Sequence, residues 1–366
     1  MITINPWKKK KIFNLSKEKY GPNITYNYTN KIFDDSESPI FINDLRKAAE
    51  CHMAVRQFIQ GLVKPGMKLY DICNLVENKI IELLGCPENK LGCGVAFPTG
   101  VSVNNIIAHD TANPDDARIL LSDDVCKLDI GIHINGRIID SAFTIAFNEK
   151  YKNLLLATKE ATLKAISLAG PDMLCNEISK EIKEVIESYQ VELNGKMIDI
   201  KAIDELGGHT IDKYNIHSGK LLLSGPSDHP LYRNMRMSEG EEWAIETFAS
   251  TGTGTCKFSL EKDVNHYMLN PYNSKTFTNF KLKTTPCVYK WINNNRGSLP
   301  FTQRWMVKDK NVDSKYKIGL KELLDNKIIV ADAVLSDVKG CYTSQSEHTI
   351  FLHKGGKEVL TMGDDF

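Results

Sequence analysis

The stretch from Val125 to Phe147 limits the fold more than any other part of the chain. Val125–Ile134 and Arg137–Phe147 each read as a strand, with Asn135-Gly136 between them. That dipeptide tolerates positive φ at both turn positions, the signal of a two-residue type I′ hairpin. With such a loop Ile134 pairs with Arg137, Asp129 falls opposite Ala142, and Asp140 lies one diagonal step from Asp129. Both carboxylates then leave one face of an Ile-rich ribbon, where they would repel and be costly to desolvate. One or two divalent cations make the arrangement favourable; two solvated aspartates at strand ends are the plain alternative.

The rest of the chain gives such a hairpin a core to pack on. Its 366 residues are 42% hydrophobic and 25% charged, a globular balance. Lys plus Arg equal Asp plus Glu at 46 each, so no general attraction to nucleic acid or anionic membrane is expected. No apolar run reaches the ~18 residues of a membrane span. The segment from Met1 to Lys11 lacks the apolar block of a signal peptide. Nine scattered cysteines (51, 73, 86, 93, 126, 175, 256, 287 and 341) make no CxxC pair, which leads us to expect a cytoplasmic protein with free thiols.

Residues 1–40 are polar, with Pro22 and Pro39, and read as an N-terminal arm whose Lys8–Lys11 run could touch an acidic partner such as ribosomal RNA; a solvated tail is the plainer account. Residues 44–62 keep helical apolar spacing, with Asn43 or Asp44 available as cap. After Pro65-Gly66 a second helix carries Ile72, Leu75, Val76, Ile80 and Leu83 on one face and stops at Gly85. Past the hairpin the pattern returns, with helices at about 151–169 and 175–189. A shift of 106 residues lays Pro65 on Pro171, Met67 on Met173 and Ile72 on Ile178. The Glu246 segment resembles the Asp129 segment, and the Glu347 segment resembles the Asp140 segment, so the acids are expected to recur at equivalent places. Two similar halves about a pseudo-twofold follow. The segment at about 265–335 breaks the duplication. Its helical stretches, Pro286–Asn293, Phe301–Lys308 and Lys317–Asn326, read as a helical subdomain inserted into a domain spanning 41–366, supplying one wall of a pocket.

Five polar side chains stand in apolar strands or glycine-flanked turns: Asp129, Asp140, His209, Glu246 and Glu347. Each alone has a duller explanation as a solvated, salt-bridged or hydrogen-bonded residue. Together, four carboxylates bring about four negative charges that two divalent ions cancel. Oxygen ligands with one imidazole and no thiolate suit Mn, Co, Fe or Zn. Carboxylate-bridged metals can hold a hydroxide that is nucleophilic near pH 7.

These segments resemble the type 2 methionine aminopeptidases, of the pita-bread metallopeptidase fold. The matching text includes Phe97-Pro-Thr-Gly100, Asn104-Asn105 through Ala108-His109, Cys126-Lys-Leu-Asp129-Ile-Gly, Ser141-Ala-Phe-Thr, Gly208-His209-Thr and Tyr214-Asn-Ile-His217-Ser-Gly. It continues through Ala244-Ile-Glu246-Thr-Phe, His266-Tyr-Met, Phe301 through Arg304-Trp305, Glu347-His-Thr-Ile350 and Gly363-Asp-Asp-Phe366. The resemblance runs from about residue 40 to the end, and the helical insertion marks type 2. It implies an α/β (α+β) fold, two pseudo-twofold-related halves with helices outside antiparallel sheet, plus the helical insertion.

It also implies roles. Asp129, Asp140, His209, Glu246 and Glu347 would be ligands to two divalent metal ions, with Glu246 also shuttling the proton from attacking water to leaving nitrogen. His109 would sit at the scissile bond, and His217 would contact the peptide past the cut. Phe97, Gly100, Ile216 and His266 would line the slot for the methionine side chain. The implied reaction is removal of the initiator methionine from nascent polypeptides, mainly before small second residues, by a monomer in the cytoplasm. The short arm argues against ribosome association. Val101 and Ile106 stand where some relatives have cysteine, in keeping with a chain without a disulfide. The segment Ala331-Asp332-Ala333-Val334-Leu335 departs from the family's usual text, so the outer rim of the pocket should differ. The first rival is an X-Pro aminopeptidase or prolidase with the same ligands, against which the insertion and the Phe97/His266 pair argue. The second is a non-catalytic RNA- or protein-binding pita-bread protein, against which the intact ligands and zero net charge argue.

Overall fold

In the computed structural model the described residues are 39–366, apart from 87–89, 260–263, 273–279, 355 and 366. The arm expected over residues 1–40 therefore lies almost wholly outside them. The first half comprises α1 (Ile42–Gln60), α2 (Leu69–Leu84), β1 (Cys93–Val95), β2 (Gly100–Val103), β3 (Ile106–Ala108), β4 (Val125–Ile134) and β5 (Arg137–Ala146). The second opens with α3 (Lys152–Leu168) and α4 (Cys175–Glu187). It continues through β6 (Gln190–Leu193), β7 (Lys196–Asp199), β8 (Lys201–Ala202), β9 (Gly207–Ile211), β10 (Leu221–Leu223), α5 (Pro230–Arg233), β11 (Glu242–Ser250) and β12 (Lys257–Phe258). Next come β13 (His266–Leu269), α6 (Thr285–Asn295), α7 (Gln303–Lys308), α8 (Tyr316–Asp325), β14 (Ile329–Asp332) and β15 (Leu335–Ser336), and then β16 (Thr343–His353) and β17 (Gly356–Val359).

The hairpin takes the register its loop requires: Ile134 pairs with Arg137, Asp129 with Ala142 and Gly131 with Asp140, around Asn135 at φ 52° and Gly136 at φ 80°. On its other edge β4 pairs with β2 and β1, so Gly100 faces Asp129. The second sheet runs β10-β9-β11-β16-β17, with β8 on β11. Each sheet is covered by a helix pair. Leu69, Ile72, Val76 and Ile80 of α2 are wholly or almost wholly buried in the first core, and Ile178, Ile182 and Ile186 of α4 in the second. Each such side chain contributes about 1.5–3 kcal/mol by leaving water. Helix α2 ends where expected, on Gly85 at φ 63°. Helix α1 begins earlier than its polar residues suggested. Phe41 is the cap and offers no side-chain bond, leaving Asp44 in the first turn.

The pseudo-twofold is visible in backbone hydrogen bonds. Gly66 donates to Leu120 and Asp172 to Met237; Leu120 donates to Met67 and Met237 to Met173. The halves join where β5 meets β16, through a reciprocal pair. Thr144 Oγ1 donates to the Gln345 carbonyl and Thr349 Oγ1 to the Asp140 carbonyl, while the Gln345 and Asp140 amides donate back to those hydroxyls. This reciprocity corrects one expectation. Gln345, not Glu347, is the twin of Asp140, and Glu347 is the twin of Ala142. The acids of the two halves are out of step by one pleat.

Two further expectations change. Cys86 and Cys93 are joined as a disulfide, their Cα atoms 6.2 Å apart, because the end of α2 packs beside β1; the other seven cysteines are free. The segment at 265–335 is not purely helical: β13 and β14 form an antiparallel ribbon beside α6–α8. The three helices share a core of their own, with Val288, Ile292, Phe301, Leu320 and Leu323 buried. Two buried arginines fasten this segment to the first half. Arg296 donates to the Val95 and Ala96 carbonyls, and Arg304 forms a buried ion pair with Glu77 of α2.

Candidate metal centre

Strand register alone puts the acids of each half together. Asp129 and Asp140 sit on one face of β4–β5, since opposed residues share a face and the period is two. Glu246 and Glu347 are directly opposed across β11–β16, and His209 of β9 faces Ala244, two residues before Glu246 on the same face. The β5–β16 junction then brings the two sets into one cavity, of about 280 Å³, lined by all five. One ligating atom each of Asp140, His209 and Glu347 lies within 4.8 Å of the others. His209 Nε2 is 3.6 Å from Asp140 Oδ2 and 3.9 Å from Glu246 Oε1.

The electrostatics of this group fit a cation. Burial pushes the Asp140, Glu246 and Glu347 carboxyls well above the usual range, and their mutual repulsion adds to it; Asp129 is raised by burial as well. Burial and then His217 hold His209 well below the ordinary imidazole value. Its Nδ1 lies 3.4 Å from the Thr210 carbonyl, which keeps the proton there and turns the Nε2 lone pair toward the carboxylates. Asp129 Oδ1, Asp140 Oδ1 and both oxygens of Glu347 are buried and lack any hydrogen-bond partner among the described residues. Orphaned buried acceptors facing a lone pair are unfavourable by themselves and favourable around divalent metal. The donor set of four carboxylates and one imidazole meets that requirement.

The remaining expected residues line the same cavity: Phe97, Gly100, His109, Ile216, His217 and His266. His109 adopts φ 65°, a conformation uncommon outside glycine, and its Nδ1 lies 3.2 Å from the Ala333 carbonyl. The bond directs the other ring nitrogen away from that anchor. His217 packs edge-on against His209 at 4.3 Å between centroids; burial lowers its pKa to about 4. His266 lies between His109 and Phe97, at 5.7 and 6.5 Å, and burial lowers it to about 3. Gly100 is needed for clearance, because a Cβ there would stand 2.9 Å from that of Asp129.

Sequence reasoning passed over Gln345. Its Nε2 donates to Glu246 Oε2 at 3.0 Å and reaches Asp129 Oδ2 at 3.4 Å, linking one acid from each half. The signal was available in the text. Gln345-Ser-Glu347-His-Thr aligns with Asp140-Ser-Ala142-Phe-Thr, which puts an amide in the acid's place. It also passed over Glu205, and took Asp332 only as part of the departing rim segment; both line the cavity outside the ligand set.

The family model of metallopeptidase family M24 matches residues 43–264. The chain is 44% identical to methionine aminopeptidase 2 of Schizosaccharomyces pombe over 88% of its length and 73% of that protein. It is 42% identical to methionine aminopeptidase 2A of Arabidopsis thaliana, over 90% of the chain and 72% of the relative. Among solved structures it superposes on a thermophilic Arx1 with TM-score 0.73 at 20% identity, covering 90% of this chain and 92% of that one. It also superposes on methionine aminopeptidase of Thermotoga maritima with TM-score 0.58 at 18% identity, covering 89% and 98%. At those identities the structural likenesses speak for the fold.

Proposed function

The chain belongs to metallopeptidase family M24, and within it to the methionine aminopeptidase 2 group, and we propose that it hydrolyses the bond after an N-terminal methionine in nascent proteins and peptides. The observation that carries this reading is the gathering of Asp129, Asp140, His209, Glu246 and Glu347 on one cavity with carboxylate oxygens left unsatisfied. Those five would hold a pair of divalent ions of the Co, Mn, Fe or Zn kind. Bound there, the ions would supply Lewis acidity toward the peptide carbonyl and a water made nucleophilic near neutral pH.

The chain's own groups do the rest. Gln345 holds Glu246 by Oε2, which leaves Oε1 to take the proton from the attacking water and pass it to the leaving nitrogen. His217, neutral near pH 7 because it is buried, donates to the carbonyl oxygen as charge develops on it. His109, anchored through Nδ1, presents Nε2 to the peptide N–H at the scissile bond. Phe97, Ile216 and His266 offer the soft, apolar and aromatic slot that a thioether fits. Gly100 leaves room between slot and ligands. The inserted segment closes the slot's outer side through His266 of β13 and Pro300 rather than through its helices, and Arg296 and Arg304 fasten it to the first half. Among the described residues no helix is long and apolar enough to cross a membrane, and the proposed setting is the cytoplasm, on newly made chains.

The test is to offer Met-Ala-Ser and Ala-Pro peptides to protein supplied with Mn or Co. Release of methionine is expected, in proportion to metal bound. Selective release of the residue before proline would overturn the reading in favour of an X-Pro peptidase.

A further inference from the structure

The cavity mouth carries charge that the reaction does not use. Among the described residues, its lining includes the carboxylates Asp110, Asp129, Asp140, Glu205, Glu246, Asp332 and Glu347, and no lysine or arginine. Four of these are the ligands, which two divalent ions would neutralise. Asp110 is paired with Arg118. Glu205 and Asp332 remain. Asp332 is the cross-strand partner of His266 in the β13–β14 ribbon, so the two side chains leave the same face. It is half-buried, its charge bears on the buried His217 and His266, and its carboxylate makes no hydrogen bond or ion pair to the described residues. His266 is only 8% exposed and leaves Nε2 without a partner in the same lining.

Glu205 is exposed, and its carboxylate is held at the rim by the Cys256 amide, 3.0 Å from Oε2. That amide leads directly into β12, whose Lys257 pairs with Ser336 of β15. Both acids line the one cavity, outside the ligand set. Lys257, next along, is exposed and outside the lining.

Resting on the methionine aminopeptidase reading, we infer that Glu205 and Asp332 are specificity-determining residues, selecting peptides with a cationic side chain just beyond the small second residue. The methionine side chain goes into the apolar slot and the second residue sits against the ligands, which leaves these two acids to face the third and fourth residues on their way out. A lysine or arginine there meets two uncompensated carboxylates at the edge of a low-dielectric cavity, and a glutamate is repelled by them. The attraction acts on binding, so it appears in KM rather than in kcat.

The experiment compares kcat/KM for Met-Ala-Lys-Ser, Met-Ala-Ser-Ser and Met-Ala-Glu-Ser in the metal-loaded full-length protein at low salt. The Lys peptide is expected to exceed the Glu peptide about tenfold, the size expected of two partly exposed charge pairs. Raising the salt to 0.5 M should flatten the ratio. In Asp332→Asn the ratio should fall about threefold, and in Glu205→Gln/Asp332→Asn to near one. Because each ratio is internal to one enzyme, partial loss of active protein does not affect it. A wild-type ratio near one, or one that the substitutions leave unchanged while Met-Ala-Ser-Ser is cleaved, overturns the inference and leaves the methionine reading standing. Failure of the wild type to release methionine from any of the three overturns both.

Discussion

In the first half Asp129 and Asp140 lie diagonally across β4–β5, with Asp140 opposite Gly131; in the second Glu246 and Glu347 face each other directly across β11–β16. The scaffold is duplicated down to reciprocal threonine hydrogen bonds, yet the chemistry is not. Ala142 stands where the second half has Glu347, Asp140 where it has Gln345, and Ser102 where it has His209. A fully symmetric site would place a fifth carboxylate at 345 against ions able to balance four. The amide there donates instead to Glu246 and Asp129. Symmetry supplied the platform, and departures from it set the charge balance and gave the single imidazole a place.

The comparison breaks hardest at the junction. Asp140→Asn or Glu347→Gln should reduce turnover to assay background and lower bound metal, with far-UV circular dichroism near wild type. Unchanged activity in either would remove both residues from the centre. His109→Asn should retain metal and lose about 10²–10³-fold in kcat, the usual cost of one positioned hydrogen-bonding group; metal loss by elemental analysis would show that the position was misread. Gln345→Glu, which puts an acid in Asp140's place in the other half, should cost about 10–100-fold in activity or metal affinity, and a silent substitution would mean that the amide is a bystander.

Smaller effects sharpen the contrast. A Cβ on Gly208 would stand 2.2 Å from the Ala244 carbonyl, inside the ladder that places His209, whereas one on Gly131 would press on the Phe97 ring. Gly208→Ala should therefore destabilise by about 1–3 kcal/mol, read by denaturant melts. Gly131→Ala should mainly raise KM for methionyl peptides. The last effect is one of pH. The site carboxyls are raised in the metal-free protein, so they favour the folded apoprotein at acid pH and lose that contribution as pH rises from the unfolded carboxyl range through their folded values. Protons compete with metal for the same oxygens. The rise in Tm on adding metal should accordingly be greatest near neutral pH and shrink toward pH 5.

Much of this was legible in the chain. The register of β4–β5 followed from two residues, Asn135 and Gly136, because a two-residue loop leaves one pairing and period two assigns every face. The four major helices were readable from their apolar spacing and from breakers such as Pro65-Gly66 and Gly85. Within β11 and β16 the reading was harder, since every residue of both strands is buried and no alternation survives. The acids were therefore aligned by wording, one pleat out of step.

By itself the sequence determined the local geometry and the kinds of ligand, because turn chemistry, helical period and side-chain type act over a few residues and need no distant partner. Only the tertiary structure decided that Asp140 meets Glu347, that Gln345 spans two acids, that Cys86 closes on Cys93, and that Glu205 and Asp332 line the same cavity. Those pairings depend on how packed elements come to rest against one another, and burial then sets what each charge costs.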